Sequence, residues 1–308
     1  MKELVVISGK GGTGKTSLVA AFAALAGKVV LCDADVDAAD LHLVTHPRVV
    51  ETHDFVSGHE ASIDLERCTR CGLCRQWCRF GAIDEAFRVE PLLCEGCGVC
   101  AHMCPERAVD FFEKTCGVWH VSETPYGPMV HARLGIAEEN SGKLVALVRR
   151  EARRLAESRR IDLLLTDGPP GVGCPVIASI GNADAVLAVA EPTVSGRHDM
   201  ERVLALAAHF RVPAAVCVNK SDLHPDEAHR IAEEARKQGA AFLGFIPFDP
   251  VVTRSQVDGR SLVDYGETPV VRAIQEIWEG LRALVVGNAE GVLKPSEGKP
   301  KAWETAQA

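Results

Sequence analysis

Two stretches of the chain combine residue types and spacings that do chemistry. In the first, Gly9-Lys10-Gly11-Gly12-Thr13-Gly14-Lys15-Thr16 fits G-x-x-x-x-G-K-[ST] and sits between an apolar strand and a helical segment. Glycines let successive backbone N–H groups curl around an anion, and the N-terminus of the following helix adds a favourable dipole. Phosphate is the anion this suits. Lys15 is expected to reach the β- and γ-phosphates and the Thr16 hydroxyl to reach Mg²⁺, with Ser17 part of the same cradle. In the second stretch, the run Cys68, Cys71, Cys74, Cys78 recurs as Cys94, Cys97, Cys100, Cys104, with Pro105 after it. Four thiolates at such spacing hold metal. A third cysteine at the next x₂ step favours an iron–sulfur cube, and zinc, which also takes four thiolates, is the alternative.

The rest of the composition narrows the classes. There are 12 cysteines, and the four outside the two runs (Cys32, Cys116, Cys174, Cys217) are scattered. A disulfide framework belongs to small secreted domains, whereas Met1-Lys2-Glu3-Leu4 leads straight into a strand and not into a secretory signal. Ligand cysteines and a cytoplasmic location are therefore expected. No run of about 18 apolar residues is present, which argues against a membrane span. A net charge of −8 works against broad nucleic-acid binding, which needs a cationic face.

The elements that must position these residues alternate in type. Apolar runs at Leu4–Ser8, Lys28–Cys32, Ile161–Thr166, Ala185–Ala190, Ala214–Val218 and Phe242–Ile246 read as strands buried on both faces. Helical periodicity follows at Thr16–Ala26, Lys143–Arg160, Gly196–Phe210, Pro225–Gln238 and Pro269–Leu284. The fold class is α/β with a mostly parallel sheet. Between about Thr45 and His131 the rhythm breaks: residues 46–63 read as short β-like pieces, the cysteines follow, and Gly117–Val121 with Met129–Arg133 reads as a hairpin. One domain interrupts another. The expected bounds are 1–58 and 116–286 for the α/β domain, 59–115 for the inserted α+β module, and 287–308 for a disordered tail.

The early lysine of Lys10-Gly11-Gly12-Thr13-Gly14-Lys15-Thr16 resembles the deviant Walker A of the MinD, ParA, Mrp and nitrogenase iron-protein superfamily of P-loop ATPases. The resemblance implies that Lys10 crosses a dimer interface to the partner's nucleotide, acting like an arginine finger in a homodimer formed on ATP. Cys32-Asp33-Ala34-Asp35 resembles switch I, implying that Asp35 orients or deprotonates the attacking water and Asp33 supports Mg²⁺; Asp37 and Asp40 remain substitutes for Asp35. Asp167-Gly168-Pro169-Pro170-Gly171 resembles Walker B running into switch II, with Asp167 on Mg²⁺. Asn219 and Pro247 match the family's base-binding loops, although Asn219-Lys220-x-Asp222 also resembles the guanine-reading motif of GTPases; the deviant lysine favours ATP.

The cysteine block resembles the bacterial two-cluster ferredoxin, with Arg79 where proline is usual in the first run. In that pattern the fourth cysteine of each run crosses to the other cluster. Cys68, Cys71, Cys74 and Cys104 would hold one [4Fe-4S] cluster, and Cys94, Cys97, Cys100 and Cys78 the other. Cys174, seven residues after Asp167, resembles in spacing a cluster cysteine near the iron protein's dimer axis, but a small buried hydrophobe is the commoner role. The function implied is ATP hydrolysis coupled to electron transfer toward a redox partner. A carrier handing a cluster to an acceptor protein, and a positioning ATPase with structural clusters, are the alternatives.

Overall fold

The computed structural model describes residues 1–135 and 141–286; the expected tail at 287–308 lies outside them. In chain order the elements begin with β1 (Lys2–Ser8), α1 (Lys15–Ala26), β2 (Val30–Asp33), α2 (Leu41–Thr45) and β3 (Arg48–Ile63). Two short helices, α3 (Leu73–Trp77) and α4 (Val99–Met103), precede β4 (Val109–Thr124), β5 (Gly127–Leu134) and α5 (Ser141–Arg159). Then come β6 (Leu163–Pro170), α6 (Cys174–Ile180), β7 (Ala185–Ala190), α7 (Val194–His209) and β8 (Ala214–Asn219). The described residues end with α8 (Pro225–Lys237), β9 (Ala241–Ile246), α9 (Pro250–Val257) and α10 (Pro269–Val286).

Among the described residues, nine strands form one sheet in the order β3-β4-β5-β2-β6-β1-β7-β8-β9. From β5 to β9 every neighbouring pair is parallel. Buried on both faces, Leu4–Ile7 of β1 and Ala185–Ala190 of β7 need apolar side chains, which explains their Val, Leu, Ile and Ala content. One face packs against α1 and α10, where Phe22 stacks on Trp278 at 5.3 Å. The opposite face is covered by α6, α7 and α8 around β1, β7 and β8, and by α5 around β2, β5 and β6. A buried ion cluster pins α5 to the sheet: Glu3, 1% exposed, accepts from Arg149 Nε at 2.7 Å, from Arg153 and from the Thr166 hydroxyl.

The interruption is where sequence and structure differ. Residues 48–63 form one 16-residue strand, not short pieces, and it pairs antiparallel with an equally long β4. The expected hairpin is present as β4–β5, but β5 also adds to the main sheet beside β2. A two-stranded ribbon therefore grows out of the sheet edge and carries both cysteine runs at its far end. Both ribbon strands run across the bounds expected at 58/59 and 115/116, with shifts of pairing register between Phe55 and Val56 and between Val56 and His59.

Candidate nucleotide site and cysteine cavities

The glycine-rich loop follows β1 at the centre of the sheet, with β6 on one side and β7 on the other. In open α/β sheets this position, at the C-terminal strand ends, is where ligands bind. Gly12 and Gly14 take φ of 79° and 90°, so the loop needs glycine there. Gly9 is needed for space, since a Cβ would lie 2.0 Å from that of Asp199 on α7. A cavity of about 410 Å³ opens beside the loop, lined by Gly11, Gly12, Gly14, Lys15, Thr16, Ser17, Asp35 and Asp40 among others. Gln256 of α9, which its sequence surroundings did not signal, also lines it and donates to the Ser17 hydroxyl at 2.8 Å.

Lys15 is buried, 3.9 Å from Asp35 Oδ2. The Thr16 hydroxyl donates to Asp167 Oδ2 at 2.7 Å, while Asp167 Oδ1 is buried with no partner among the described residues. Burial pushes Asp167 up to about 7 against the opposing pull of Lys15. Asp35 is likewise raised by burial, to about 6, with Lys15 opposing. Asp33 stands behind these groups: its oxygens accept the backbone N–H of Asp35 at 3.1 Å and of Leu41 at 3.2 Å, holding the 35–41 segment. Burial and the neighbouring Asp167 carboxylate push its pKa well up.

Lys10 lies outside the cavity lining, 3.5 Å from Glu191 at the end of β7. The same carboxylate takes Lys220 Nζ at 2.6 Å, and Lys220 reaches the Gly12 carbonyl at 3.2 Å. Asn219 Nδ2 donates to the Thr13 carbonyl at 2.8 Å. Pro247 begins the loop after β9, tied to the β8 loop by Phe248 N–H donating to Asp222 at 2.6 Å. The bridging by Glu191 and Lys220 had no local sequence signal, because it joins loops remote in the chain.

The eight clustered cysteines sort into two cavities. Cys68, Cys71, Cys74 and Cys104 line one; Cys78, Cys94, Cys97 and Cys100 line the other. The two runs share a backbone pattern: Arg70 and Gly96 have φ of 57° and 59°, Gly72 and Gly98 of 85° and 74°. Gly72 and Gly98 start α3 and α4, which turn Cys74 and Cys100 inward. Backbone N–H groups of Arg70 and Ala108 donate to the sulfurs of Cys68 and Cys104 at 3.4 and 3.2 Å. Gly96 lies against the His59 carbonyl so closely that a Cβ would sit 2.2 Å from it, seating the second cavity on β3. Among the described residues, no three His, Cys, Asp or Glu groups converge closely enough for a single metal ion.

Of the other cysteines, Cys32 and Cys217 are core residues whose thiols burial pushes up, and Cys116 is buried in the ribbon, donating to the Ser57 carbonyl. Cys174 is exposed at the start of α6. No helix is long and apolar enough to cross a membrane among the described residues.

Comparison with known proteins agrees with the sheet and the loop. An uncharacterized protein of Methanocaldococcus jannaschii is 32% identical over 287 residues, covering 92% of this chain and 97% of the relative. An iron–sulfur cluster carrier protein of Pyrococcus furiosus is 27% identical over 136 residues, covering 39% of this chain and 45% of its own. Among solved structures, the septum site-determining protein MinD of Pyrococcus horikoshii, complexed with Mg-ADP, superposes with a TM-score of 0.58 at 17% identity. That match covers 92% of this chain and 96% of MinD, and it speaks for the fold. The family model for the CobQ/CobB/MinD/ParA nucleotide-binding domain matches residues 4–263, and the chain belongs to that family.

Proposed function

We propose that the protein is an iron–sulfur ATPase that binds and hydrolyses ATP as a nucleotide-dependent homodimer and couples this to electron transfer through two [4Fe-4S] clusters. One observation carries the reading: eight cysteines sort into two four-thiol cavities at the tip of a ribbon continuous with the nucleotide-binding sheet. The donor sets fit the groups they would hold. Cys68, Cys71, Cys74 and Cys104 would ligate one cluster, and Cys78, Cys94, Cys97 and Cys100 the other, with thiols spread around a cavity and not gathered at a point. The orphaned Asp167 Oδ1 beside the Thr16 hydroxyl fits Mg²⁺, with Asp33 in support. When bound, the clusters supply one-electron redox chemistry and Mg²⁺ offsets phosphate charge.

The chain's own residues account for the remaining steps. Backbone N–H groups from Gly9 to Ser17, with Lys15, grip the β- and γ-phosphates. Asp35, facing Lys15, orients the attacking water and takes its proton. Lys10, half-buried and paired with Glu191, leaves that carboxylate for the partner's nucleotide and stabilises charge developing on the transferred phosphoryl group. Asn219 and Pro247 receive adenine, with Asn219 exchanging its bond to the Thr13 carbonyl for the base.

A second reading is a carrier that assembles a cluster and passes it on. The partial similarity to cluster carrier proteins and the exposed Cys174 favour it. Iron analysis with a reductive titration separates the readings. About eight irons per chain and a nucleotide-dependent cluster potential support coupled electron transfer. Iron passing to an apo-acceptor, lost in Cys174→Ala, supports the carrier. A protein holding zinc and no iron contradicts both.

A further inference from the structure

Residues paired across neighbouring strands project from the same face of a sheet. Followed outward from β6, the register pairs Asp167 with Asp33, Asp33 with His131, His131 with His120, and His120 with Thr52. One polar row thus crosses five strands, from the acid beside Thr16 to the ribbon bearing the cysteines. The next row on that face is Leu165, Leu31 and Met129, so the polar row is not a general property of the surface. Its outer members are connected. Thr52 Oγ1 lies 3.0 Å from His120 Nδ1, the His120 and His131 rings are 5.0 Å apart, and His131 Nε2 lies 2.9 Å from the buried Ser122 hydroxyl on β4.

Helix α2 approaches this row and also borders the glycine-loop cavity. Its Leu43 and Val44 line the cavity with Asp35, Ala38 and Asp40. The Leu41 N–H is held by Asp33, the Thr45 hydroxyl lies 3.6 Å from the Met129 sulfur on β5, and His42 is near enough to His131 to act on its charge. At the far end the ribbon is tied together and to the second cysteine cavity. Cys116 donates to the Ser57 carbonyl at 2.7 Å, His59 stacks on Phe111 at 4.7 Å, and Phe111 and Gly96 both line that cavity.

We propose that α2 and His131 form the link through which nucleotide state reaches the cysteine module, with His131 the positioning residue that joins β5 to β4. The proposal rests on the coupling proposed above and names its route. A phosphate arriving at Lys15 competes with Asp35 for the ammonium and frees the 35–45 segment to shift. That contact, made or broken, is the two-state element such a coupling requires. Movement of α2 presses on β5, and His131 passes it to β4 through Ser122 and His120. The tied ribbon then carries the displacement to the cysteine cavities.

The test is amide hydrogen exchange on the full, cluster-loaded chain, with and without Mg²⁺ and a non-hydrolysable ATP analogue. In the wild type, the analogue is expected to change exchange both in residues 8–16 and in the ribbon, residues 48–63 and 109–124. His131→Leu is expected to keep the loop response and lose the ribbon response by about 2- to 30-fold, the range over which single residues in such networks modulate coupling. His131→Gln, which can still bond Ser122, is expected to restore it; a merely structural role would give no such rescue at equal loop protection. A ribbon response in His131→Leu equal to wild type overturns this route and leaves the coupling standing. Loop protection in the wild type with no ribbon response overturns the route and the coupling together.

Discussion

The Thr16 hydroxyl donates to one oxygen of Asp167 while the other oxygen of that carboxylate is buried without a partner among the described residues. A buried, unpaired carboxylate oxygen costs free energy unless something binds it. Beside a phosphate cradle, the occupant proposed here is a divalent cation. Asp167→Asn is expected to abolish the Mg²⁺ dependence of nucleotide affinity while leaving residual Mg²⁺-free binding. Titration calorimetry with and without Mg²⁺ decides it, and an unchanged Mg²⁺ effect in Asp167→Asn contradicts the assignment.

The two lysines of the loop differ in place and are expected to differ in effect. Lys15 is buried in the cavity, so Lys15→Ala removes nucleotide binding. Lys10 faces Glu191 outside it, so Lys10→Ala keeps binding but loses ATP-dependent dimerisation and about 10³- to 10⁵-fold in turnover, as for other charge-donating fingers. Light scattering and phosphate release measure the two. Normal hydrolysis by Lys10→Ala would falsify the trans role.

The crossed sorting of the cysteines gives a prediction about single ligands. Cys104→Ser perturbs the cavity of Cys68, Cys71 and Cys74, although Cys104 belongs to the second run in sequence. Cys78→Ser perturbs that of Cys94, Cys97 and Cys100. Iron content is expected to fall by about half in each, from two clusters to one. Combining Cys104→Ser with Cys68→Ser, in one cavity, is expected to cost no more iron than either alone. Loss of all iron in that double variant, with the chain still folded, counts against the sorting.

His131 links stability to pH. Burial lowers its pKa from 6.5 to about 4, so the folded state holds it neutral while the unfolded chain protonates it below about 6.5. Stability from this group is therefore complete above the unfolded value and is lost as pH falls from about 6.5 toward about 4. His120 and His42 face it and deepen the effect. The loss amounts to at most a few kcal/mol. Denaturant midpoints across that range are expected to slope less in His131→Gln; an unchanged slope rejects the linkage.

Glu3 makes a separate point about stability. It neutralises Arg149, itself 6% exposed, and Arg153 from the first strand. Glu3→Gln leaves a buried guanidinium without its carboxylate, at a cost of about 3–5 kcal/mol. Urea unfolding measures it. Full stability in Glu3→Gln would mean that water reaches Arg149.

Much of this architecture is legible in the sequence for a physical reason. Strands such as Ala185–Ala190 are buried on both faces and so are apolar throughout, and the loop glycines answer to backbone geometry. The long strand Arg48–Ile63 is not legible. Its first half edges the sheet and its second half lies in a two-stranded ribbon; it is exposed for most of its length and interrupted by register shifts, so its apolar residues show no alternation. Helices α2, α6 and α9 are 5 to 8 residues long, too short to display a 3.6-residue period. Partnerships such as Glu191 with Lys10 and Lys220, or His131 with Ser122, exist only once strand order is set. The position of Asp33 at the end of the second strand is legible, but its bonds to the Asp35 and Leu41 amides are not.

The most direct test of the account is a reductive titration of the anaerobically prepared chain, followed by electron paramagnetic resonance, with and without Mg²⁺ and a non-hydrolysable ATP analogue. Coupling of nucleotide state to the clusters predicts two cubane signals whose midpoint potential moves when the analogue binds. Two cubane signals that stay fixed at saturating analogue would contradict it.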